Sequence, residues 1–311
     1  MTTQTLLTQW LETYEKEHIK PRTYARYQGL ITDHINPTLG EQNIEDLSRR
    51  DIQEFLSQQK AEGNVRTGGG KLSATSANLM LTVLNLAFEY ACDMEIIEQN
   101  PCARIRRSRE DAKKVEAFTK EEQRKIETAI MESEDPRLFG ILLCLYTGVR
   151  IGELLGLEWS DVDLQRGFVY INKTVYRDKD ESGEWQLIVD KPKTTASDRV
   201  IPLPSYITHM LIERKVQARS IYVIENKKGE RMSIRSYQYI FEKLTEKAGV
   251  RKLNFHALRH TFATRAIECG MDIKTLSEIM GHKNASITLN RYAHSMMDTK
   301  IEMMQKLPKN F

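Results

Sequence analysis

One stretch of the sequence, residues 103–114, interrupts the apolar periodicity of the chain and divides it into two parts. It carries six basic and two acidic side chains. A chain of 311 residues is long for one domain and suits two. We therefore predict a helical domain over residues 1–102, a basic linker over residues 103–116 and a second domain over residues 117–311. A solvated, charged helix end would show the same spacing as the linker.

The first part of the chain has the pattern of a helical bundle. Apolar side chains recur at helical spacing, as in Leu6, Leu7, Trp10 and Leu11. Ser48 followed by Asp51 predicts a helix N-cap, and a longer helix is expected over residues 73–96. Four helices and no convincing strand predict an all-α domain.

The second part begins with another helix-start pattern, Thr119 followed by Glu122. An apolar helix is expected over residues 138–146. Short strands follow at residues 168–171, 185–189 and 199–203, separated by turn-rich residues 177–184 and 194–198. Further helices are predicted over residues 206–216, 236–248, 256–268, 273–280 and 284–292. This order predicts a mainly α domain with a small sheet inserted early.

Composition excludes several classes of protein. No apolar run approaches the length of a membrane-spanning helix, and the N-terminus lacks the pattern of a secretory signal. The four cysteines form no Cys-x-x-Cys pair, so neither a disulfide framework nor a zinc ribbon is indicated. We expect a cytoplasmic protein with reduced thiols. The net charge of +3 neither requires nor excludes a nucleic-acid partner.

Two groupings of charged residues could carry chemistry. Arg150 lies among apolar residues, and Glu153 three positions later could hold its guanidinium if both are helical. A structural ion pair at a helix start is the alternative. Lys191 and Lys193 lie in a predicted hairpin loop, where lysines are usually only solvated surface.

Two further groupings contain histidine and tyrosine. His256, Arg259 and His260 lie near one face of a predicted helix. A zinc protease would need Glu after the first histidine, so a phosphate site fits this trio better than a metal. Histidines satisfied by backbone partners are an equally common explanation. His282 and Tyr292 follow, and a tyrosine in isolation is far more often a core or surface residue than a nucleophile.

The order of these groupings resembles the tyrosine recombinase family, in particular its phage and conjugative-transposon integrases. The matching segments are TGVRIGELLGLEWSDVD, KPKTTASDRVIPLP and HALRHTFATRAIECGMDIKTLSEIMGHKNASITLNRYAH. The resemblance extends over essentially the whole second domain. The resemblance implies the DNA breaking-rejoining fold: an all-α core-binding domain, followed by a mainly α catalytic domain with a small antiparallel β-sheet.

The resemblance also assigns residues to roles. The implied catalytic residues are Arg150, Lys193, His256, Arg259, His282 and the nucleophile Tyr292, with Glu153 and His260 in supporting roles. The implied reaction is attack of the tyrosine on a DNA phosphodiester, giving a 3′-phosphotyrosine and a free 5′-hydroxyl. It uses no ATP, cofactor or metal. Since free tyrosine has a pKa of about 10, a general base is needed, for which we expect His256, and we expect Lys193 to protonate the leaving oxygen.

The implied partner is double-stranded DNA with core-type attachment sites, bound by a homo-tetramer. Backbone contacts are expected from basic side chains in the linker and the hairpin: Arg104, Arg106, Arg107 and Lys191. A tail from about residue 294 would dock on a neighbouring protomer. An excisionase or a host DNA-bending protein would be compatible with the implied function as a further partner. The first predicted helix begins a few residues after Met1, which leaves little length ahead of it for an arm-binding domain.

The implied function is integration or excision of a mobile element or prophage by site-specific recombination. Two alternatives use the same chemistry, a Xer-like resolvase and a type IB topoisomerase. A third, from a different class, is a non-catalytic DNA-binding protein on the same fold. The presence of all six catalytic positions argues against the third alternative.

Overall fold

The computed structural model describes residues 1–63, 68–108, 116–179, 184–190, 198–292 and 304–305. The chain divides into two compact units, Met1–Lys113 and Lys114–Phe311. Across these described ranges, no helix combines the length and the apolar character needed to cross a membrane.

The described part of the first unit is built from helices, as predicted. They are α1 (Thr3–Gln9), α2 (Pro21–Leu30), α3 (Asn36–Leu39), α4 (Arg49–Glu62) and α5 (Ala74–Asp93), with single π-helical segments, Trp10–Glu15 and Ile31–Ile35, after α1 and α2. Ser48 and Asp51 form the expected capping box at the start of α4. Helix α5 ends before residue 96 because Glu95 adopts the left-handed conformation (φ 56°).

The first half of the predicted linker belongs to the first unit. The backbone of Ser108 makes two hydrogen bonds with the side chain of Asn78 on α5, with N···O distances of 2.9 and 2.8 Å. Ile105 packs against the apolar core of the unit. Residues 103–108 are therefore held to α5 by contacts that the polar sequence did not indicate. Residues 109–115 lie outside the described ranges.

The second unit is mainly helical, as predicted. Its helices are α6 (Lys120–Met131), α7 (Phe139–Thr147), α8 (Ile151–Gly156), α9 (Ser205–Gln217), α10 (Ile234–Lys247), α11 (His256–Glu268), α12 (Ile273–Met280) and α13 (Ala285–Tyr292). Thr119 and Glu122 form the expected capping box at α6. Helix α7 lies in the main apolar core. A smaller apolar cluster joins α11 and α12 to Tyr292 at the end of α13.

The described strands form two small antiparallel sheets. They are β1 (Val162–Asp163), β2 (Phe168–Ile171), β3 (Thr174–Lys179), β4 (Trp185–Asp190) and β5 (Arg199–Pro202). The first sheet has the order β1-β2-β5, and the second pairs β3 with β4.

The turn predicted over residues 177–184 is wrong at its start, because β3 continues through Lys179. Polar residues extend the strand by pairing across to β4, as Arg177 does with Leu187. The guanidinium of Arg177 also lies 5.0 Å from the ring centre of Trp185, a cation–π contact that supports this pairing.

Candidate active site

Arg150 lies at the start of α8, directly after a sharp reversal of the chain. Gly148 ends α7 in the left-handed conformation (φ 64°), and a Cβ atom there would collide with the ring of Phe262. Arg150 then caps α8, and its side chain donates from Nη1 to Oε1 of Glu153 at 2.7 Å. The predicted Arg150–Glu153 pair is therefore present, with the arginine side chain 38% exposed and the carboxylate buried.

Glu153 is shared with a second arginine, Arg199 on β5, which lies outside the groupings predicted from the sequence. The Arg199 guanidinium donates to both carboxylate oxygens, at 3.2 and 2.8 Å. Burial of Glu153 raises its pKa, but the hydrogen bonds from Arg199 and the charges of Arg199 and Arg150 outweigh this and lower the pKa to about 2.

The sequence signal for Arg199 is its position in the predicted strand over residues 199–203, where residues two apart share a face and Arg199 therefore falls on the side of Ile201 and Leu203. The structure shows that this is the buried side. Along β5, Arg199 and Ile201 are buried while Val200 and Pro202 are exposed. The arginine therefore falls on the inward side of an alternating strand, a position that an unpaired charge does not occupy.

The side chain of Arg259 projects from α11 into the protein interior, and the residue is 2% exposed. It donates to the carbonyl oxygens of Gly148 and Met280, each at 2.6 Å. Burial first, and then the charge of Arg150, lower the pKa of the Arg259 guanidinium to about 9. Arg150 donates to the next carbonyl, that of Gly281, at 3.3 Å, so two cations lie close together, an arrangement that a bound anion would stabilise.

Tyr292, at the end of α13, is 2% exposed and packs in the α11–α12 cluster. Its hydroxyl oxygen lies 2.6 Å from Nδ1 of His260. The ring of His256 contacts the ring of His260 edge-on, with 4.6 Å between their centres. Tyr292 is also near enough to Arg259 to influence the pKa of that guanidinium. His260, which was expected to play only a supporting role, thus contacts the tyrosine hydroxyl directly.

His282 follows Gly281, which ends α12 in the left-handed conformation (φ 63°). Its Nδ1 atom lies 2.7 Å from the hydroxyl of Thr288 on α13. This contact fixes the ring between two helices, and it makes Thr288 a second site residue that the sequence analysis did not identify. The hydroxyl gave no distinguishing signal in the sequence.

The structure therefore brings most of the predicted site residues together in the second unit. Arg150 pairs with Glu153, and Arg150 and Arg259 bind the last carbonyls before His282, whereas His256, His260 and Tyr292 contact one another between α11 and α13. Lys191 and Lys193 lie outside the described residues, as does the tail from residue 294 apart from residues 304–305. Arg104, Arg106 and Arg107 lie on the first unit and are exposed.

The part of the chain that the structure describes contains no group of three or more His, Cys, Asp or Glu side chains arranged to hold a metal ion. In that part three cationic side chains, Arg150, Arg199 and Arg259, lie at the site.

Two family profiles match the sequence. The phage integrase family matches residues 108–299. The phage integrase N-terminal SAM-like domain matches residues 2–58.

Related proteins support the same assignment. The chain is 30% identical to the tyrosine recombinase XerC-like of Caldanaerobacter subterraneus subsp. tengcongensis, an alignment that covers 97% of this chain and 81% of that protein. It is 26% identical to the ICEBs1 integrase of Bacillus subtilis, over 93% of this chain and 78% of the relative.

Solved structures share the fold. The Tn1549 transposon integrase in complex with a circular intermediate DNA aligns with a TM-score of 0.82 and 24% identity, over 99% of this chain and 100% of that one. A lambda integrase tetramer bound to a Holliday junction aligns with a TM-score of 0.67 and 22% identity, over 92% of this chain and 78% of that one. The mainly helical architecture with small antiparallel sheets is therefore the one predicted from the sequence.

The family profile covers more than half of the chain, and the relatives span nearly all of it. This chain belongs to the phage integrase family and is a tyrosine recombinase, an enzyme that cleaves and rejoins DNA at specific sites.

Proposed function

We propose that this recombinase is the integrase of a mobile element, a phage or a conjugative transposon, and that Tyr292 is its nucleophile. One observation carries the assignment: the guanidiniums of Arg150 and Arg259 donate to the neighbouring carbonyl oxygens of Gly281 and Met280, and the hydroxyl of Tyr292 contacts His260, the residue next to Arg259 on α11. Two cations held beside a tyrosine suit a phosphodiester, whose non-bridging oxygens become more negative during attack.

The proposed reaction assigns a role to each group. Tyr292 Oη attacks phosphorus, the bond to the 5′-oxygen breaks, and the DNA 3′-phosphate stays on the tyrosine. Arg150 and Arg259 neutralise the non-bridging oxygens, and His282 donates a further hydrogen bond.

Protons move at both ends of this reaction. His260 accepts the phenolic proton, an assignment supported by its 2.6 Å contact with the hydroxyl, and His256 supports the His260 ring by its edge-on contact. Lys193 protonates the leaving 5′-oxygen. These side chains supply both charge and protons, so the reaction runs without a divalent metal.

The proposed substrate is double-stranded DNA at core-type attachment sites. Residues 1–102 form the core-binding domain and residues 117–311 the catalytic domain, an assignment in line with the two matched profiles. The exposed Arg104, Arg106 and Arg107 suit contact with phosphates, and Lys191 is proposed to add another. The Tn1549 integrase, which shares the fold, is bound to DNA in its own structure. The proposed place of action is the cytoplasm, with the enzyme associated with the nucleoid when it is bound to DNA.

The proposed assembly on DNA is a homo-tetramer in which the tail from about residue 294 docks on a neighbouring protomer. A lambda integrase tetramer, which shares the fold, is bound to a Holliday junction in its own structure. An excisionase or a host DNA-bending protein would set the direction of the reaction.

The test uses a suicide duplex, nicked near the cleavage point, made from the DNA that flanks the gene. We expect the wild type to form a covalent adduct on a denaturing gel, in EDTA as well as in buffer with Mg²⁺. Tyr292→Phe should bind the same duplex and form no adduct. An adduct that persists in Tyr292→Phe would place the nucleophile elsewhere, and loss of cleavage in EDTA would show that a metal is needed.

A Xer-like resolvase is the second candidate, favoured by the 30% identity to the XerC-like relative. The two candidates differ in their substrate. Recombination between two sites on the chromosome or a plasmid dimer, with none at the ends of an element, would favour the resolvase.

A further inference from the structure

Three arginines meet at the end of α12 within the described part of the chain. Arg199 Nε, Arg259 Nη2 and Arg150 Nη2 donate to the carbonyl oxygens of Ile279, Met280 and Gly281, at 2.5, 2.6 and 3.3 Å. The last carbonyls of a helix have no donor partners within it and carry partial negative charge. This helix end is therefore the place where three separate elements of the unit, α8, β5 and α11, are tied together by charge.

Arg199 has a different environment from Arg150. Its side chain is 6% exposed, against 38% for Arg150. Its guanidinium binds both oxygens of Glu153, and the same Glu153 Oε1 accepts from Arg150 Nη1. Glu153 thus lies between one buried arginine and one that is partly open to solvent.

We propose that Arg199 is a positioning residue for DNA cleavage, which sets the orientation of Arg150 through Glu153 and of His282 through the end of α12. The proposal rests on the proposed function, in which Arg150 and His282 bind the scissile phosphate. In this proposal Arg199 acts through Arg150 and His282 and does not itself bind the phosphate.

Competition between hydrogen bonds to Glu153 explains why Arg150 needs Arg199. A carboxylate can accept two parallel hydrogen bonds from one arginine fork. With Arg199 occupying both oxygens, Arg150 gives Glu153 one side-chain nitrogen and keeps a solvent-accessible edge. Without Arg199, Glu153 would draw the Arg150 fork onto itself, in competition with the phosphate.

The second contact of Arg199 acts on α12. The bond from Arg199 Nε to Ile279 fixes this helix three residues before His282. The backbone amide of His282 in turn donates to the carbonyl of Ser277 in the same helix, at 3.0 Å. A shift of the helix end would therefore move His282. Displacement of a catalytic group by about 1 Å can cost on the order of 100-fold in rate.

The chain supplies a matched control for a purely structural role. Arg231 also pairs with a carboxylate, Glu158 at 2.9 Å, and with a backbone carbonyl, Leu155 at 3.1 Å. Its side chain is 12% exposed, and it has no contact with the catalytic groups named above in the described structure. Loss of Arg231 should therefore cost folding stability without a specific effect on chemistry.

The experiment compares Arg199→Lys and Arg199→Met with Arg231→Lys and Arg231→Met. The readouts are the single-turnover rate of adduct formation on the suicide duplex at saturating DNA, the DNA affinity and the melting temperature. We expect both Arg199 variants to lose roughly 100-fold in rate with affinity changed by less than about threefold, whereas the Arg231 variants keep the rate. Arg199→Lys retains the charge but not the fork, so it tests the chemistry even if Arg199→Met folds poorly.

The pH dependence of the cleavage rate is a further measurement, and it would not change if Arg199 had only a structural role. Glu153 is faced by Arg150 on α8, Arg199 on β5, Cys144 on α7 and Arg259 on α11. Removing Arg199 leaves the burial of Glu153 in place and removes its main hydrogen-bond donor, so its pKa rises. The rate of adduct formation by Arg199→Met should then increase with pH over the range in which Glu153 ionises. The wild type and Arg231→Met should show no such increase.

The outcomes separate this proposal from the proposed function. If the Arg199 variants match the Arg231 variants in rate and pH profile, or lose affinity as much as rate, Arg199 is a structural residue only. If the wild type forms no adduct, or Tyr292→Phe still forms one, the proposed function fails regardless of Arg199.

Discussion

His260 Nδ1 and the hydroxyl oxygen of Tyr292 lie 2.6 Å apart, a direct contact between two side chains separated by 32 positions in the sequence. This distance is that of a short hydrogen bond and allows proton transfer. His256, one helical turn earlier on α11, contacts the ring of His260. We therefore expect substitutions of the two histidines to affect cleavage differently.

We expect His260→Ala to reduce the single-turnover rate of adduct formation by about 10²–10⁴-fold, because the tyrosine loses its proton acceptor. His256→Ala should reduce the rate less, since that ring acts through His260. His260→Gln, which keeps a hydrogen-bonding group without basicity, separates orientation from proton transfer. A His260→Gln enzyme as fast as the wild type would rule out the proton-acceptor role.

Arg259 leads to a prediction at alkaline pH. Its pKa is lowered to about 9, first by burial and then by Arg150. A bound phosphate favours the charged form, so DNA binding above this pKa must be coupled to uptake of a proton. The affinity for the core-type duplex should consequently fall as the pH rises through and beyond the pKa of Arg259.

Fluorescence anisotropy at constant ionic strength measures this effect. Arg259→Met should bind more weakly at neutral pH and lack this part of the alkaline decrease. Equal pH slopes for the two proteins would show that Arg259 does not titrate on binding.

Gly148 is expected to be intolerant of a side chain for two reasons, its left-handed backbone and the nearby ring of Phe262. Gly148→Ala should lower the free energy of unfolding by about 1–2 kcal/mol for the left-handed backbone and by a further ~1–3 kcal/mol for overpacking. Gly249→Ala is the matched control, because Gly249 has φ 63° but nothing within 4 Å of the position that a methyl group would take.

Urea denaturation of both variants gives the comparison. The free energy of unfolding that Gly148→Ala loses beyond the loss in Gly249→Ala is the cost of the collision with Phe262. If both variants lose the same free energy, the ring moves aside and the collision does not constrain the turn before Arg150.

The proposed role of Lys193 predicts rescue by a better leaving group. Lys193→Ala should slow cleavage of a normal phosphodiester by about 10²–10⁴-fold, because the 5′-oxygen leaves without a proton. A substrate with sulfur in the 5′-bridging position needs no protonation and should restore most of the rate. Lys191→Ala is the control and should have little effect on either substrate. Failure of the thiolate substrate to rescue Lys193→Ala would exclude the general-acid role.

Local sequence patterns were sufficient for much of the fold. The spacing of apolar residues predicted α11 and α12 at the bounds that the structure has, 256–268 and 273–280. Capping signals at Ser48 and Thr119 located two helix starts, since a cap involves residues only three positions apart. Strand β3 was missed because its polar residues are held in the strand by pairing to β4, which no local pattern encodes.

The sequence by itself determined the family, the mainly helical architecture and the set of residue types available at the site, because short-range spacing and motif order carry that information. The tertiary structure decided which of them meet. Helical spacing places His256 and His260 on one face of α11, but the packing of α13 against α11 and α12 decides that His260 reaches Tyr292. It also decides that Arg199, a charged residue in a short strand, joins Glu153 to the end of α12. Contacts of this kind span 32 to 80 positions and depend on long-range packing, which residue order alone does not specify.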